Sequence, residues 1–392
     1  MSLGSLVHAL ASGPRFAVPL TIESVELVHL QIPLKEPFRI STAEVAVKDT
    51  ILVAVKAEGL VGCGESSPMA GSFYSAETPE SCWDDLHDRL VPGVLGKKLT
   101  QPRDIATLLA PLAGGSFSKT GLETALWDLL AQHQQKPIAA LLGGTRQRVE
   151  SGLAVGLYDT TEALLERIEQ HLPDGYHRVK IKIKPEQDVE LVRAVRRRFG
   201  DALPLMVDAN AAYTIADLAV FQELDRYGLM MFEQPLAGDD LEGLARLQSE
   251  VETPVCVDES AETPARVREL LARSCCRIVN IKIQRVGGLG PALEVHDICG
   301  GAGVPVWVGC MPELGIGQAA GIHLGSLPGC TFPTDVEPSL RWFVDDYSHP
   351  LIEMDAQGYL RVPGGAGLGF GVDADKIHRY SLRHKELKYG IS

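Results

Sequence analysis

The chain has 392 residues, of which 45% are hydrophobic and 22% are charged, and its formal charge is −14. These values are typical of a globular protein, and the acidic balance argues against a general nucleic-acid binder and against binding to an anionic membrane surface. No stretch of the sequence approaches the roughly 20 unbroken apolar residues that a membrane span requires. A chain of this size is expected to form more than one packing unit, or one large barrel with an accessory domain.

The N-terminus and the cysteines indicate the location of the protein. Residues 1–20 have no Lys or Arg before Arg15 and only a short apolar run, which predicts a flexible N-terminal extension and not a secretory signal. The eight cysteines form no C-x-x-C motif, and in a chain this long we interpret them as buried thiols in a reducing compartment. We therefore expect a cytoplasmic protein.

The first part of the chain predicts an α+β domain over residues 21–147. Two runs of alternating apolar and polar residues, Ile22–Ile32 and Thr50–Ala57, predict a small antiparallel sheet with a break at the segment PLKEPF between them. Helical periodicity follows, with a strong amphipathic helix from Gly121 and a later helix that ends at Gly143. Strands followed by helices are typical of an α+β unit.

Strands and helices alternate strictly from residue 148 to residue 350. Short β-branched runs occur at Arg178–Ile183, Leu205–Val207, Met230–Phe232, Pro254–Val257, Arg277–Ile281 and Val304–Val308. Helical stretches follow most of them, at Asp188–Phe199, Ile215–Tyr227, Leu241–Val251 and Pro264–Ala272. A spacing near 25 residues per unit is what parallel strands with crossover helices require. Eight such units close into a (β/α)8 TIM-type barrel.

Two further segments complete the predicted barrel. Val149–Val155 is the candidate first strand and Cys330–Pro333 the candidate last strand, and residues 351–392 are expected to pack back on the N-terminal domain. An open doubly wound sheet is the competing fold. That fold would place a G-x-G-x-x-G phosphate loop after its first strand, and the nearest match, Gly315-Ile-Gly317, has Ala320 at its last position.

Ionisable residues close successive predicted strands. They are Lys180, Lys182, Asp208, Glu233, Asp258 and Lys282. The intervals from Lys182 onward are 26, 25, 25 and 24 residues, which is one strand-plus-helix unit each time. These side chains should therefore project from the C-terminal rim of the barrel, where the active sites of this fold lie. A single Asp at a strand end more often caps the next helix, but three carboxylates in a row between lysines predict a functional site.

Elementary chemistry indicates what such a cluster can do. Three carboxylates that converge on one point repel each other unless a cation neutralises them, and all-oxygen ligation suits Mg²⁺ or Mn²⁺. A substrate carboxylate at that cation would have an acidified α-proton, because the cation stabilises the enolate that forms. Lys182 and Lys282 come from opposite sides of the carboxylates and would face the two sides of that planar enolate. Lys180 points to the same face of its strand as Lys182 and is placed to lower the pKa of Lys182.

Five short motifs carry a family resemblance: Lys180-Ile-Lys182, Val207-Asp208-Ala-Asn210, Glu233-Gln-Pro-Leu236, Asp258-Glu259-Ser260 and Asn280-Ile-Lys282. With them the chain resembles the enolase superfamily, in its muconate-lactonizing-enzyme branch, from about residue 25 to about residue 372. The resemblance implies an enolase-like modified barrel with an N-terminal capping domain. It also implies that Asp208, Glu233 and Asp258 are metal ligands. Lys182 and Lys282 would then be the acid/base pair.

A closer resemblance is to the o-succinylbenzoate synthase and N-succinylamino acid racemase enzymes of that branch. The segments that carry it include Ala212-Tyr213-Thr214, Arg285-Val-Gly-Gly288 and Pro305-Val-Trp307. This resemblance implies that Arg285 modulates Lys282 and favours racemisation. It also implies that Met311 and Glu313 belong to the substrate pocket.

Several positions keep alternatives open. Asn210 either bonds a metal ligand or turns the chain, Glu259 either holds a lysine or a ligand or has no functional role, and Glu313 is either a pocket residue or a loop carboxylate. Three segments on the substrate side depart from the pattern of the subgroup and leave the substrate open: Trp307–Glu313, Lys282–Arg285 and Pro333–Val336. The loops Lys35–Thr42 and Glu65–Tyr74 are expected to close over the site.

The sequence therefore predicts a Mg²⁺-dependent enzyme that abstracts the α-proton of a small carboxylate substrate and forms a metal-stabilised enolate. N-succinylamino acid racemisation and o-succinylbenzoate synthesis are the favoured activities, and dipeptide epimerisation or muconate cycloisomerisation are the alternatives. Outside the family, the alternatives are a Schiff-base lyase that uses Lys182 or Lys282 and a non-catalytic barrel that binds a metal or ligand. By analogy with the family we expect a homo-oligomer.

Overall fold

The structure, a computed structural model, describes residues 19–39, 44–70 and 75–390. The predicted N-terminal extension lies outside the described residues up to residue 18. Within the described ranges, no helix is both long and apolar enough to cross a membrane.

The capping domain is built on a four-stranded antiparallel sheet. Three of its strands lie at the start of the chain: β2 (Ser24–Arg39), β3 (Glu44–Ala57) and β4 (Leu60–Ser66). A separate two-stranded sheet is formed by β1 (Leu20–Thr21) and β5 (Lys98–Leu99). The predicted break at PLKEPF is wrong, because β2 runs through this segment. The pairing of β2 with β3 shifts register between Pro33 and Phe38, so a bulge absorbs the segment and the ladder resumes at Phe38.

The described residues of the capping domain form five helices. They are α1 (Pro79–Asp85), α2 (Val91–Val94), α3 (Pro102–Leu109), α4 (Ser116–His133) and α5 (Ile138–Leu142), with a π-helical turn at Leu86–Leu90. Of these helices, α1 and α4 pack on the sheet.

The predicted helix is confirmed as α4, which packs on β4. Its predicted amphipathic character is wrong, because nearly every residue from Phe117 to Ala131 is buried between the sheet and other elements. A Cβ at Gly64 would lie 2.0 Å from the carbonyl oxygen of Gly121, so glycine is required for this close approach. Gly143 ends α5 with a φ of 88°, as its position in the sequence predicted.

The second half of the chain forms the parallel sheet of the barrel. Its strands, in both chain and spatial order, are β7 (Leu153–Val155), β8 (Val179–Lys182), β9 (Leu205–Asp208), β10 (Phe232–Glu233), β11 (Val255–Val257), β12 (Ile278–Ile281) and β13 (Val306–Val308). The main helices between and after them are α6 (Thr161–His171), α7 (Val189–Phe199), α8 (Leu218–Leu224), α9 (Leu241–Glu250), α10 (Pro264–Ala272), α11 (Ile283–Val286), α12 (Leu289–Gly301), α13 (Gly315–Gly325) and α14 (Ser339–Trp342). This order confirms the predicted fold class and excludes the doubly wound alternative.

The first and last predicted strands of the barrel need correction. The segment Val149–Val155 is divided, since β6 (Arg148–Glu150) pairs with β15 (Tyr359–Arg361) and only β7 joins the barrel. Cys330–Pro333 does not form a strand. The barrel is instead closed here by isolated parallel bridges, from Cys330 to Val306 on β13 and from Thr334, just after the segment, to Ser151. Pro333 has no N–H to donate, which prevents a continuous ladder there.

The C-terminal segment returns to the capping sheet. Strand β17 (Ser381–Lys388) pairs antiparallel with β2, so the sheet order is β17-β2-β3-β4. The short strands β14 (Ser348–His349) and β16 (Gly371–Val372) pair with each other, and α15 (Ala374–Tyr380) precedes β17.

Candidate active site

Three carboxylates lie side by side at the C-terminal rim of the barrel. Asp208 on β9 and Glu233 on β10 are register partners, and Asp258 stands two residues beyond Cys256, the partner of Glu233 on β11. All three carboxylate residues are buried, with 1% exposure for Asp208 and none for the other two. The structure therefore brings together the carboxylates that the strand spacing predicted.

Cationic side chains lie directly against these carboxylates. The ammonium nitrogen of Lys182 is 2.5 Å from Oδ2 of Asp208, and that of Lys282 is 2.9 Å from Oδ2 of Asp258. Arg285 also bonds the side chain of Asp258 and donates to its backbone carbonyl at 2.8 Å. Both lysines predicted as the acid/base pair are thus within contact distance of the carboxylate cluster.

Lys180 has a different set of partners. Its ammonium group bonds Asp335, lies 3.3 Å from Oε2 of Glu233 and lies 4.0 Å from Oδ2 of Asp208. Burial acts to lower the pKa of Lys180, but Asp335 and Glu233 outweigh it, so the pKa is raised. Lys180 and Lys182 therefore share one oxygen of Asp208. The influence of Lys180 on the pKa of Lys182 stays a prediction.

Burial and neighbouring charges shift the pKa values of two carboxylates of the cluster in opposite directions. Burial and the neighbouring charges of Asp208 and Asp258 raise the pKa of Glu233 to about 8, although Lys180 opposes the shift. At Asp258, burial acts in the same direction, but Arg285 and Lys282 outweigh it and hold the pKa below its usual value. As the side chains stand, the described residues hold no group of three or more His, Cys, Asp or Glu side chains arranged for a metal, and lysines lie against these carboxylates.

Turns with positive φ follow two of the carboxylates. Asn210 has a φ of 42° and Gln234 a φ of 36°, which L-residues other than Asn and Asp rarely adopt. The backbone N–H of Asn210 donates to Oδ1 of Asp208 at 2.9 Å, and its side chain donates to Glu259 at 3.1 Å. Gln234 accepts the N–H of Asp258 at 2.9 Å. Asn210 thus both turns the chain and bonds a carboxylate of the cluster.

Glu259 lies behind the cluster. Burial and the neighbouring Asp258 raise its pKa to about 7, while Arg285 and Lys282 oppose the shift. One of its carboxylate oxygens accepts the hydrogen bond from Asn210, so Glu259 holds the residue that in turn bonds Asp208.

Sequence reasoning missed two residues that hold the cluster. Asn280 donates to Oε1 of Glu233 at 2.8 Å; it stood in the motif Asn280-Ile-Lys282, but no role was predicted for it. Asp335 bonds Lys180 with one oxygen and accepts from Arg178 at 2.7 Å with the other. The sequence placed Asp335 only in a segment that departs from the family pattern, because nothing local indicates which lysine it contacts.

A cavity that is partly open to solvent lies over the cluster. Lys180, Lys182 and Lys282 line it together with Asn210 and Asp335. The two lysines proposed as acid and base therefore face the same space.

The remaining walls of the cavity are apolar and come from both domains. Phe38, Val45 and Met69 belong to the capping domain, and Met311 belongs to the barrel. Of the two predicted pocket residues, Met311 lines the cavity and Glu313 is not among its described lining residues. The carboxylate of Glu313 accepts the backbone N–H of Met311 at 2.9 Å. The two loops that were expected to close over the site contribute Phe38 and Met69 to the cavity wall. Residues 40–42 and 71–74 of these loops lie outside the described residues.

Comparison with known proteins places the chain in a family. Residues 22–143 match the mandelate racemase / muconate lactonizing enzyme N-terminal domain, and residues 163–376 match the enolase C-terminal domain-like family. The chain belongs to the enolase superfamily. Within that superfamily it is an enzyme of the muconate-lactonizing-enzyme subgroup, as the motifs at the strand ends indicated.

Three similar proteins illustrate this membership. An o-succinylbenzoate synthase from Geobacillus kaustophilus is 43% identical over 92% of this chain and 96% of its own length. An N-succinylamino acid racemase from Amycolatopsis sp is 39% identical over 89% of this chain and 95% of its own length. The crystal structure of an enolase-superfamily member from Listeria innocua Clip11262 superposes with a TM-score of 0.90 at 33% identity, covering 94% of this chain and 99% of the other.

Proposed function

We propose that this enolase-superfamily enzyme is a Mg²⁺-dependent N-succinylamino acid racemase, an o-succinylbenzoate synthase, or both. The observation that carries the proposal is the placement of Lys182 and Lys282. Both line one cavity, and the three carboxylate-bearing strands β9, β10 and β11 separate the strands that carry them. A planar intermediate held over the carboxylates would therefore present one face to each lysine.

Asp208, Glu233 and Asp258 would hold the cation, for which Mn²⁺ is a chemical alternative. Two observations support this assignment: the buried carboxylates are neighbours, and the pKa of Glu233 is raised to about 8 partly by the charges of the other two. When bound, a divalent cation would stabilise the negative charge that develops on a substrate carboxylate as its α-proton leaves.

The lysines would move the proton. The uncharged amine of one lysine accepts the α-proton of the substrate, and the ammonium group of the other returns a proton to the opposite face, which inverts the configuration. If the substrate carries a β-hydroxyl group, the lysine that has taken the α-proton can donate a proton to this hydroxyl, the C–O bond breaks, water leaves, and the same arrangement catalyses dehydration. Both outcomes use the same side chains, and the substrate decides between them.

The relatives and the walls of the cavity support the proposed substrates. The two relatives described above carry the names of these two activities, at 43% and 39% identity. The apolar walls formed by Phe38, Met69, Met311 and Trp342 suit the hydrocarbon part of an acylated amino acid.

The proposal is tested by proton NMR in D₂O with N-succinyl-L- and N-succinyl-D-amino acids in the presence of Mg²⁺. We expect the wild-type enzyme to wash out the α-proton of both enantiomers. Lys182→Ala should slow the exchange of one enantiomer by about 10²–10⁴-fold, and Lys282→Ala should do the same for the other enantiomer. Lys184→Ala, at the half-buried exit of the same segment, is the matched control and should exchange both.

Two results would contradict this mechanism. One is α-proton exchange that continues unchanged after chelation of the metal, and the other is exchange of both enantiomers by both lysine variants. Release of an aromatic product from the hydroxy-acid precursor of o-succinylbenzoate, followed by its ultraviolet absorbance, separates the synthase activity from the racemase activity.

We also propose a cytoplasmic location and a homo-oligomer. All eight cysteines are free thiols, and seven of them are buried, which supports a reducing compartment. Leu382 on the edge strand β17 is 58% exposed and Tyr389 just beyond it is 63% exposed, and they supply apolar surface for contact between subunits.

A further inference from the structure

Lys48 is a buried cation that the proposed chemistry does not use. It lies on β3 of the capping domain and is 1% exposed. Its ammonium group donates to the backbone carbonyls of Ser67 at 3.1 Å, Pro68 at 3.4 Å and Met311 at 3.1 Å. An ammonium group has three protons, so these acceptors use its full donor capacity.

The three acceptors belong to opposite walls of the substrate cavity. Ser67 and Pro68 directly precede Met69, which lines the cavity from the capping domain, and Met311 and Pro312 line it from the barrel. Among the described residues, Lys48 contacts both wall segments without lining the cavity. It therefore connects the backbone of one wall to the backbone of the other from behind.

The same capping segment is docked on two loops of the barrel. The amide of Gln284, two residues after Lys282, donates to the carbonyl of Glu65 at 2.8 Å and accepts the N–H of Ser67 at 3.1 Å. The carboxylate of Glu65 accepts the backbone N–H groups of Leu314 at 2.8 Å and Gly317 at 2.9 Å. The loops after the sixth and seventh barrel strands are thereby held against one short segment.

The charge of Lys48 is balanced at a distance. Burial lowers its pKa, while the negative charges of Glu313 and Glu65 oppose that shift. Its direct acceptors in the described part of the chain are backbone carbonyls, whose positions are determined by the path of the two segments. The ammonium group therefore fixes the positions of the backbone segments that form the two cavity walls.

We propose that Lys48 is a positioning residue that sets the separation between the Met69 wall and the Met311–Pro312 wall, and thereby the size of the substrate side chain that the cavity accepts. This inference rests on the proposed function for its choice of substrates. The Lys48 side chain does not touch the substrate, and it determines selectivity through the two segments that it joins.

The test is a comparison of Lys48→Met with the wild-type enzyme on N-succinylalanine and N-succinylphenylalanine, with kcat and KM measured by α-proton exchange. We expect KM to rise by about tenfold or more for at least one substrate, so that the preference between them changes, because the fit of a hydrophobic pocket discriminates at this level. The expected change in kcat is smaller, since the acid/base lysines keep their partners.

Lys56→Met is the matched control, since Lys56 lies on the same strand and is paired with Glu26 and Glu386 at 3.1 and 3.2 Å. It should leave KM and the substrate preference unchanged. Lys48→Gln keeps two N–H donors on a side chain that is one atom shorter, so it should give an intermediate shift in KM. This variant replaces Lys48→Met in the test if Lys48→Met does not fold. A folded Lys48 variant with wild-type KM and preference overturns the proposal.

A second measurement keeps the inference separate from the proposed function. If the wild-type enzyme exchanges no α-proton with any N-succinyl amino acid, the proposed function fails, and hydrogen–deuterium exchange then tests Lys48 alone. Faster amide exchange in residues 65–70 and 309–314 of the Lys48 variants, with no change in strand β17, would support the positioning role. Unchanged exchange in both segments would overturn it.

Discussion

Two neighbouring layers of side chains inside the barrel have opposite character. The lower layer contains Met206, Met231, Cys256, Ile278 and Trp307, and it forms a hydrophobic cluster of its own. The upper layer lies two residues further along the same strands and contains Asp208, Glu233, Asp258, Asn280 and Gly309. Residues two apart on a strand point to the same side, so both layers face the interior.

This difference shows how one set of strands serves both stability and chemistry. The lower layer buries apolar side chains, which stabilises the fold without requiring polar partners. The upper layer buries carboxylates, which need lysines, amides or a cation to offset their loss of water. Trp307 lies where the layers meet, since its indole N–H donates to Cys256 at 3.2 Å and the ammonium group of Lys180 is 5.0 Å from its ring.

The largest expected effect comes from the lower layer. Met231→Ala removes a buried side chain and should lower the free energy of unfolding by about 2–5 kcal/mol, measured by urea denaturation. The folded fraction should keep its Mg²⁺ affinity and its exchange rate. Met354→Ala, at a half-buried methionine in another cluster, is the control and should cost less. Loss of Mg²⁺ affinity in Met231→Ala would show that the two layers are not separable.

A substitution in the upper layer should show the reverse pattern. Asn280→Ala removes the hydrogen bond to Glu233 and should weaken Mg²⁺ binding by about 10–100-fold, measured by isothermal titration calorimetry. The matched control is Ile278→Val in the lower layer of the same strand, which should cost about 0.5–1.5 kcal/mol of stability and leave Mg²⁺ binding unchanged. Wild-type Mg²⁺ affinity in Asn280→Ala would contradict the role of Asn280 in positioning Glu233 for the cation.

The upper layer should also give a pH dependence, whose slope at any one pH is modest. Because the pKa of Glu233 is about 8 in the folded protein and its usual value is 4.5, the folded protein holds this proton more tightly than the unfolded chain. Its contribution to stability is present below pH 4.5 and is lost as pH rises through 8. Glu233→Gln should therefore flatten this part of the stability profile of the metal-free enzyme, by at most about 1.4 kcal/mol per pH unit.

Denaturation curves of the metal-free proteins between pH 5 and pH 9 measure this slope. Met231→Ala is the control from the lower layer, since it carries no titrating group there and should shift the whole curve without changing its shape. A Glu233→Gln profile parallel to that of the wild-type enzyme would contradict the assignment of the proton to Glu233.

Local patterns of the sequence were sufficient for the strand ends and for the helices around them. Asp208, Glu233 and Asp258 recur at one strand-plus-helix unit each, and parallel strands in sequential order bring such positions to one rim. Helices α6, α7 and α9 follow from their apolar periodicity, and the end of α5 follows from Gly143. These features depend on residues close together in the chain, so one sequence contains the information.

Other features depended on contacts between distant segments. The bulge that carries β2 through PLKEPF exists because β3 pairs on both sides of it, and the closure of the barrel without an eighth strand rests on bridges from Cys330 and Thr334. The residues of these segments do not indicate that they pair with β3 or with the barrel strands.

The sequence by itself determined the order of the barrel, the set of carboxylates and the two lysines, because each follows from periodicity and residue type. Only the tertiary structure decided that Asp335 bonds Lys180, that Asn280 holds Glu233 and that Lys48 joins two walls of the cavity. In these contacts the partners lie 155, 47 and up to 263 residues apart in the chain. The physical reason is that hydrogen bonds and ion pairs form between groups that packing brings within about 3 Å, and sequence distance does not enter that condition.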